Sequence, residues 1–95
     1  MAVLEVETFS LIAGTDPQVF RALDEAMQEW CYFNRPGLAR RTAAKQDDGT
    51  YIVITLFAEA SNSDANYYLS TDSVVVNWSA AIKQDSRSLN VYSLL

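Results

Sequence analysis

The run Tyr51–Glu59, YIVITLFAE, limits the possible folds more than any other stretch of the chain. Its odd positions Tyr51, Val53 and Phe57 are apolar, and so are its even positions Ile52, Ile54 and Leu56. Successive side chains of a strand point to opposite faces, so a strand of this composition is shielded from water on both sides.

Its neighbours follow from local signals. Leu38–Lys45 is strand-like, and Gln46-Asp47-Asp48-Gly49-Thr50 separates it from Tyr51. Asp-Gly between two strand runs predicts a hairpin, because both central positions of a type I′ turn need positive φ. Upstream, residues 3–12 (VLEVETFSLI) carry Glu5 and Glu7 between apolar or β-branched residues, which is a strand pattern. Asp16 or Thr15 offers an N-cap oxygen, and Pro17 suits the first helical position. The helix predicted over 17–34 places Phe20, Leu23, Met27, Trp30, Cys31 and Asn34 on one side. Arg21, Asp24, Glu25, Gln28 and Glu29 take the other. Asn34-Arg35-Pro36-Gly37 stops it. Downstream, Ser61–Asp64 caps a short helix to about Leu69, Ser70-Thr71-Asp72 recaps, and 73–83 is helical with Val74, Val75, Trp78, Ala81 and Ile82 inward. Leu89–Leu94 is the last strand.

The order β-α-β-β-α-β is the ferredoxin-like, α+β arrangement: a four-stranded antiparallel sheet with both helices on one face, in a single domain spanning 1–95. The other face stays open and apolar, which marks an interface or a groove. A second copy of the chain packed on that face is the simplest cover. With Asp48-Gly49 as a two-residue turn, Arg40 stands opposite Phe57, Thr42 opposite Thr55 and Ala44 opposite Val53, on the face that also carries Tyr51. A three-residue turn would reverse this. The expected homodimer interface is therefore Arg40, Thr42, Tyr51, Val53, Thr55 and Phe57. Arg40 among apolar side chains needs an acidic partner or an anionic ligand. Glu5 and Glu7, which share a face, supply the partner across the interface or else an anion-binding or acid/base pair.

Composition excludes several function classes. Twelve Asp and Glu against seven Lys and Arg give a net charge of −5, unsuited to a phosphate backbone. Tyr51–Phe57 also lacks the Gly and cation of an RNA-recognition strand, so no nucleic-acid partner is expected. No apolar run is long enough to span a membrane, and the acidic N-terminus does not suit a signal peptide. The single cysteine, Cys31, permits no internal disulfide and fits a cytoplasmic setting. It reads as a small buried hydrophobe. With no histidine, the commonest general base and metal ligand is missing. No phosphate loop, catalytic triad or metal-ligand cluster is present, and no metal or cofactor is expected.

Arg35-Pro36-Gly37-Leu38-Ala39-Arg40-Arg41, the hairpin Asp47-Asp48-Gly49 leading into Tyr51–Glu59, the helix break Leu69-Ser70-Thr71-Asp72-Ser73-Val74, and Leu89-Asn90-Val91-Tyr92 together resemble the dimeric α/β-barrel superfamily. The likeness is to small proteins related to the antibiotic biosynthesis monooxygenases, and it covers nearly the whole chain. It implies a homodimer packed sheet to sheet, with a cavity between sheet and helices for an aromatic or polyketide-like metabolite. It also implies a cofactor-independent oxygenation in which an electron-rich substrate anion reacts with O₂ itself. The haem-degrading branch uses a histidine that this chain lacks. Members with a Trp, Tyr and Asn set find counterparts in Trp78, Tyr67 or Tyr68, and Asn34 or Asn77.

Asn34 and Trp78 are thus the catalytic candidates, and Trp30, Tyr68 and Trp78 the expected ligand pocket. Each has a plainer role: Asn34 as the cap of its helix, Trp78 as core, Tyr68 packed with Leu69. The alternative function is a non-catalytic dimeric module for ligand binding or stress response, its cavity filled by its own side chains. An open cavity larger than about 300 Å³ near Trp78 and Asn34 favours the enzyme.

Overall fold

The computed structural model describes residues 1–95. Strand β1 (Val3–Phe9), helix α1 (Pro17–Asn34), strands β2 (Leu38–Lys45) and β3 (Tyr51–Phe57), helix α2 (Ser73–Ala80) and strand β4 (Ser88–Ser93) follow in the expected order. The strands form one antiparallel sheet, β2-β3-β1-β4. β3, apolar on both faces, lies between β2 and β1. Both helices pack on one face, where Phe9 and Val53 of the sheet meet Phe20, Met27 and Cys31 of α1 and Val75 and Trp78 of α2. This is the ferredoxin-like fold.

Helix α1 begins where Asp16 Oδ1 accepts the Gln18 N–H (2.8 Å), with Pro17 in the first turn. It ends as the Arg35 N–H reaches the Cys31 carbonyl (2.9 Å). Gly37 then turns the chain at φ +74°, and a Cβ there would lie 2.2 Å from the Asn62 amide nitrogen. The glycine thus serves both the backbone conformation and the close approach of Asn62.

Three elements differ from the expectation. β1 stops at Phe9, and Leu11 instead forms an isolated bridge with Ile82, which also ends α2 at Ala80 rather than residue 83. Residues 61–69 form no α-helix but two single 3-10 turns, Ala60–Asn62 and Tyr67–Leu69. Their polar side chains bond elsewhere: Asp64 Oδ1 accepts the Asn66 N–H, and Ser63 Oγ donates to Glu5. In consequence Tyr67 is the buried tyrosine, while Leu69 is exposed and Arg87 lies over the Tyr68 ring.

The third difference is the hairpin, and it has the largest consequence. Asp48 does not adopt positive φ; only Gly49 does, at +91°. The Gly49 N–H donates to the Gln46 carbonyl (3.0 Å), the Gln46 N–H to the Thr50 carbonyl (2.8 Å), and Asp48 Oδ1 accepts the Thr50 N–H (2.9 Å). This is a three-residue loop with a left-handed glycine rather than a type I′ turn. Arg40 therefore pairs with Leu56, Arg41 with Thr55, Thr42 with Ile54 and Ala43 with Val53. A one-residue shift exchanges the two faces of a strand. Tyr51, Val53, Thr55 and Phe57 turn toward the helices, which corrects their assignment to the open face. Arg40 and Thr42 lie on the open face, with Leu4, Val6, Ile52, Ile54, Leu56 and Tyr92. A register irregularity at Ala39 returns Leu38 to the helix side, opposite Phe57.

Candidate functional site

Alternation along β1 sends Val3, Glu5, Glu7 and Phe9 beneath the helices, all buried. Two carboxylates in a core must be paired, and both are, within the chain. Glu5 takes a bidentate pair from Arg35 (2.9 and 2.8 Å) and further bonds from Ser63 Oγ (2.7 Å) and the Asp64 N–H (3.0 Å). The Arg35 guanidinium lies over the rings of Tyr67 and Phe57, 4.0 and 4.7 Å from their centroids. Glu7 accepts from Arg87 Nε and from the Tyr67 hydroxyl (2.6 Å), and Arg87 covers the Tyr68 ring. These internal pairs replace the Arg–Glu contact expected across a dimer interface. Arg40 takes no part in them; the arginine that enters the core from β2 is Arg41.

Arg41 donates to both oxygens of Asp24, through Nη2 (2.7 Å) and Nη1 (3.2 Å), and Nη1 also reaches Gln28 Oε1 (3.2 Å). Trp78 Nε1 donates to the same Asp24 oxygen that Nη2 reaches (2.9 Å). Asp24 thereby ties α1 to β2 and α2. Burial, the largest influence on Arg41, works to lower its pKa, but the hydrogen bond and charge of Asp24 together outweigh it and hold the value above the ordinary one. Burial pushes the Cys31 thiol up from 9.0 to about 11. Burial and then the Glu7 charge drive the Tyr67 phenol well above its usual range. Cys31 is therefore a protonated, inert thiol at neutral pH.

Beside Asp24 lies a cleft of about 450 Å³ between the first half of α1 and the β2–β3 hairpin. The half-buried Tyr51 floors it, with the buried Phe9 and Phe20 packed behind. Phe9 stacks on Tyr51 (centroids 5.7 Å, 8° between planes) and Phe20 meets Tyr51 edge to face (5.1 Å, 69°). On the β2 side the wall is Ala43 and Ala44; on the α1 side it is Asp24 and Gln28, with Arg21 and Lys45 among the cations of the lining. The cleft exists because Ala43, pointing toward the helix layer, is too short to fill the space beside α1. An apolar floor with a few polar groups converging on it is the usual make-up of a small-molecule site.

The residues singled out in the sequence do not meet there. Trp78 is wholly buried, its ring edge to face with Phe9 (5.6 Å) and its N–H held by Asp24. Asn34 lies at the exposed end of α1, where its amide donates to the Trp30 carbonyl (2.9 Å), as a helix-end residue would. Trp30 Nε1 donates to Asp72 (2.8 Å) at the start of α2, and Trp30 and Asn34 line a second, smaller cleft of about 330 Å³ with Arg35, Asn62, Asp64 and Ser70. Tyr68 and Trp78 line neither cleft. Sequence reasoning missed Asp24, Gln28 and Arg41. The available signal was Arg41 itself, a cation that alternation with the outward Arg40 and Thr42 sends toward the helix layer.

No protein-family model and no curated protein sequence matches the chain. Solved structures do. SnoaB from Streptomyces nogalater, a cofactor-independent oxygenase, matches with a TM-score of 0.69 at 14% identity, over 99% of this chain and 93% of that one. A Caulobacter crescentus protein assigned to the antibiotic biosynthesis monooxygenases matches at 0.75 and 13%, over 99% and 90%. At3g17210 from Arabidopsis thaliana matches at 0.75 and 14%, over 98% and 95%. Identities this low speak to the fold. No helix is long and apolar enough to cross a membrane. The chain has the ferredoxin-like fold of the antibiotic biosynthesis monooxygenase-like proteins.

Proposed function

We propose that this chain acts in the cytosol as a homodimeric α/β-barrel protein that holds a small hydrophobic or aromatic metabolite in the cleft between α1 and the β2–β3 hairpin. The observation that carries this is the half-buried Tyr51 ring, backed by the buried Phe9 and Phe20, beneath a cleft of about 450 Å³. The pairing of two copies through the open face is supported by Leu4, Val6, Ile52, Ile54 and Leu56, which no element of the chain covers. The cleft lies on the opposite, helix side of the sheet, so dimerisation would leave it accessible. Its chemistry suits retention and orientation: the Tyr51 ring gives stacking surface, and Lys45 and Arg21 can meet a hydroxyl or anionic group on the ligand.

Oxygenation of that ligand without a cofactor is the second reading, favoured by the fold shared with SnoaB. An electron-rich ring held against the floor would react with O₂ directly, the protein contributing position and shielding from water. The test of the first reading is titration with 1-naphthol, followed by amide chemical shifts. Saturable shifts at Gln28, Ala43 and Lys45 are expected. Ala43→Trp, which places an indole in the cleft, should abolish them while leaving the melting temperature within a few degrees. Shifts scattered elsewhere, or unchanged binding in Ala43→Trp, would overturn the proposal. Oxygen uptake with hydroxyaromatic or quinol substrates, lost in the same variant, tests the second.

A further inference from the structure

The polar wall of the cleft has a directionality that narrows the ligand further, given the binding role proposed above. Arg41 has only donors. Its contact with Gln28 therefore fixes the Gln28 amide with the oxygen turned to Nη1 (3.2 Å) and leaves the amide N–H groups unbonded within the protein. Asp24 is unequally loaded: one oxygen accepts from both Arg41 Nη2 and Trp78 Nε1, the other only from Arg41 Nη1, at 3.2 Å. A carboxylate oxygen has room for a second bond. Both residues line the cleft, one helical turn apart, and both touch the same guanidinium nitrogen. Side by side on the wall stand one free donor, from Gln28, and one free acceptor, on Asp24.

We propose that the cleft is selective for a planar ring carrying a neutral cis-amide edge, a lactam such as a pyridone or quinolone. Its N–H donates to Asp24 and its carbonyl accepts from Gln28, while the ring lies over Tyr51. A carboxylate on that edge would meet the Asp24 charge, and a cationic edge with donors only would oppose the Gln28 N–H. A lactam satisfies both groups at once, and a site built to bond a particular N–H rejects the analogue lacking it.

The experiment compares 2-quinolone, 1-methyl-2-quinolone and 1-naphthol on the wild-type protein and on Gln28→Leu, with Kd values from amide shifts. In the wild type, 2-quinolone should bind about tenfold more tightly than its N-methyl analogue, the effect of one hydrogen bond to a charged acceptor. In Gln28→Leu the affinity for 2-quinolone should fall about fivefold or more, while 1-naphthol binding stays within twofold and shows the cleft intact. Equal binding of the two quinolones, or binding of 1-naphthol alone, overturns the lactam inference and leaves the cleft as a site for aromatic ligands. Failure of all three ligands to bind overturns both.

Discussion

At the scale of single residues, what sets this chain apart is how much charge it buries in a small core. Glu5 and Arg35 are almost wholly buried and bonded at four points on the carboxylate. Removing one partner leaves the other charged and uncompensated, which costs about 3–5 kcal/mol. Glu5→Ala should therefore lose about that much stability in urea denaturation. The double variant Glu5→Ala, Arg35→Ala should lose clearly less than the sum of the two single losses. The raised thiol of Cys31 and phenol of Tyr67 have the opposite pH signature to a salt-bridged carboxylate. In the unfolded chain they lose their protons at lower pH than in the fold, so the unfolded state binds fewer protons and stability falls as pH rises. The Cys31 contribution is complete below pH 9.0 and is lost on the way to about 11. It amounts to roughly 2–3 kcal/mol. Denaturation midpoints should fall between pH 9 and 11, and Cys31→Ala should flatten that fall. The pairing of Glu5 and Glu7 on one face was legible in their alternation. Their partners were not, because Arg35 and Arg87 reach them from a helix end and a loop, where no periodicity operates.

Among the elements, the bounds of α1 are read correctly to the residue, since its cap, proline and stop agree, although Asp24 and Gln28, assigned to its outer side, turn to Arg41. The hairpin shows the limit of such reading. Asp48-Gly49 signals a reversal, and the reversal is there, but the same dipeptide serves a two-residue and a three-residue loop. The choice rests on Asp48 bonding the Thr50 N–H instead of adopting positive φ. That one residue decides which face of β3 shares a side with Arg41 and Ala43, hence whether Tyr51 and Val53 join them beneath the helices or lie on the open face. The candidate site was for this reason illegible even though its strands were not. Gly49 carries the loop at φ +91° with open space around it. Gly49→Ala should therefore destabilise through backbone strain alone, by about 1 kcal/mol, with an unchanged amide spectrum away from the loop. Residues 61–69 were misread for a related reason. Ser, Asn and Asp favour caps and turns as readily as helix starts, and here they serve Glu5 and the turns.

For the whole molecule, the β-α-β-β-α-β order and the existence of one uncovered sheet face were both legible, because helical and strand periodicities give the order and the order puts both helices on one face. Two helices cover the face of Val3, Val53 and Phe57, and nothing covers that of Val6, Ile52 and Ile54. A stable interface buries about 800 Å² per partner, and a four-stranded face is of that order. The proposed dimer and the proposed cleft then occupy opposite sides of one sheet, so a variant of either should leave the other working. The most direct test of this account is sedimentation equilibrium at micromolar concentration on the wild type, Ile54→Asp and Val53→Asp. The wild type should sediment at twice 10.6 kDa and Ile54→Asp as a folded monomer. Val53→Asp, with its charge in the core, should unfold. A folded wild-type species of 10.6 kDa, or an Ile54→Asp variant that still sediments as a dimer, would contradict it.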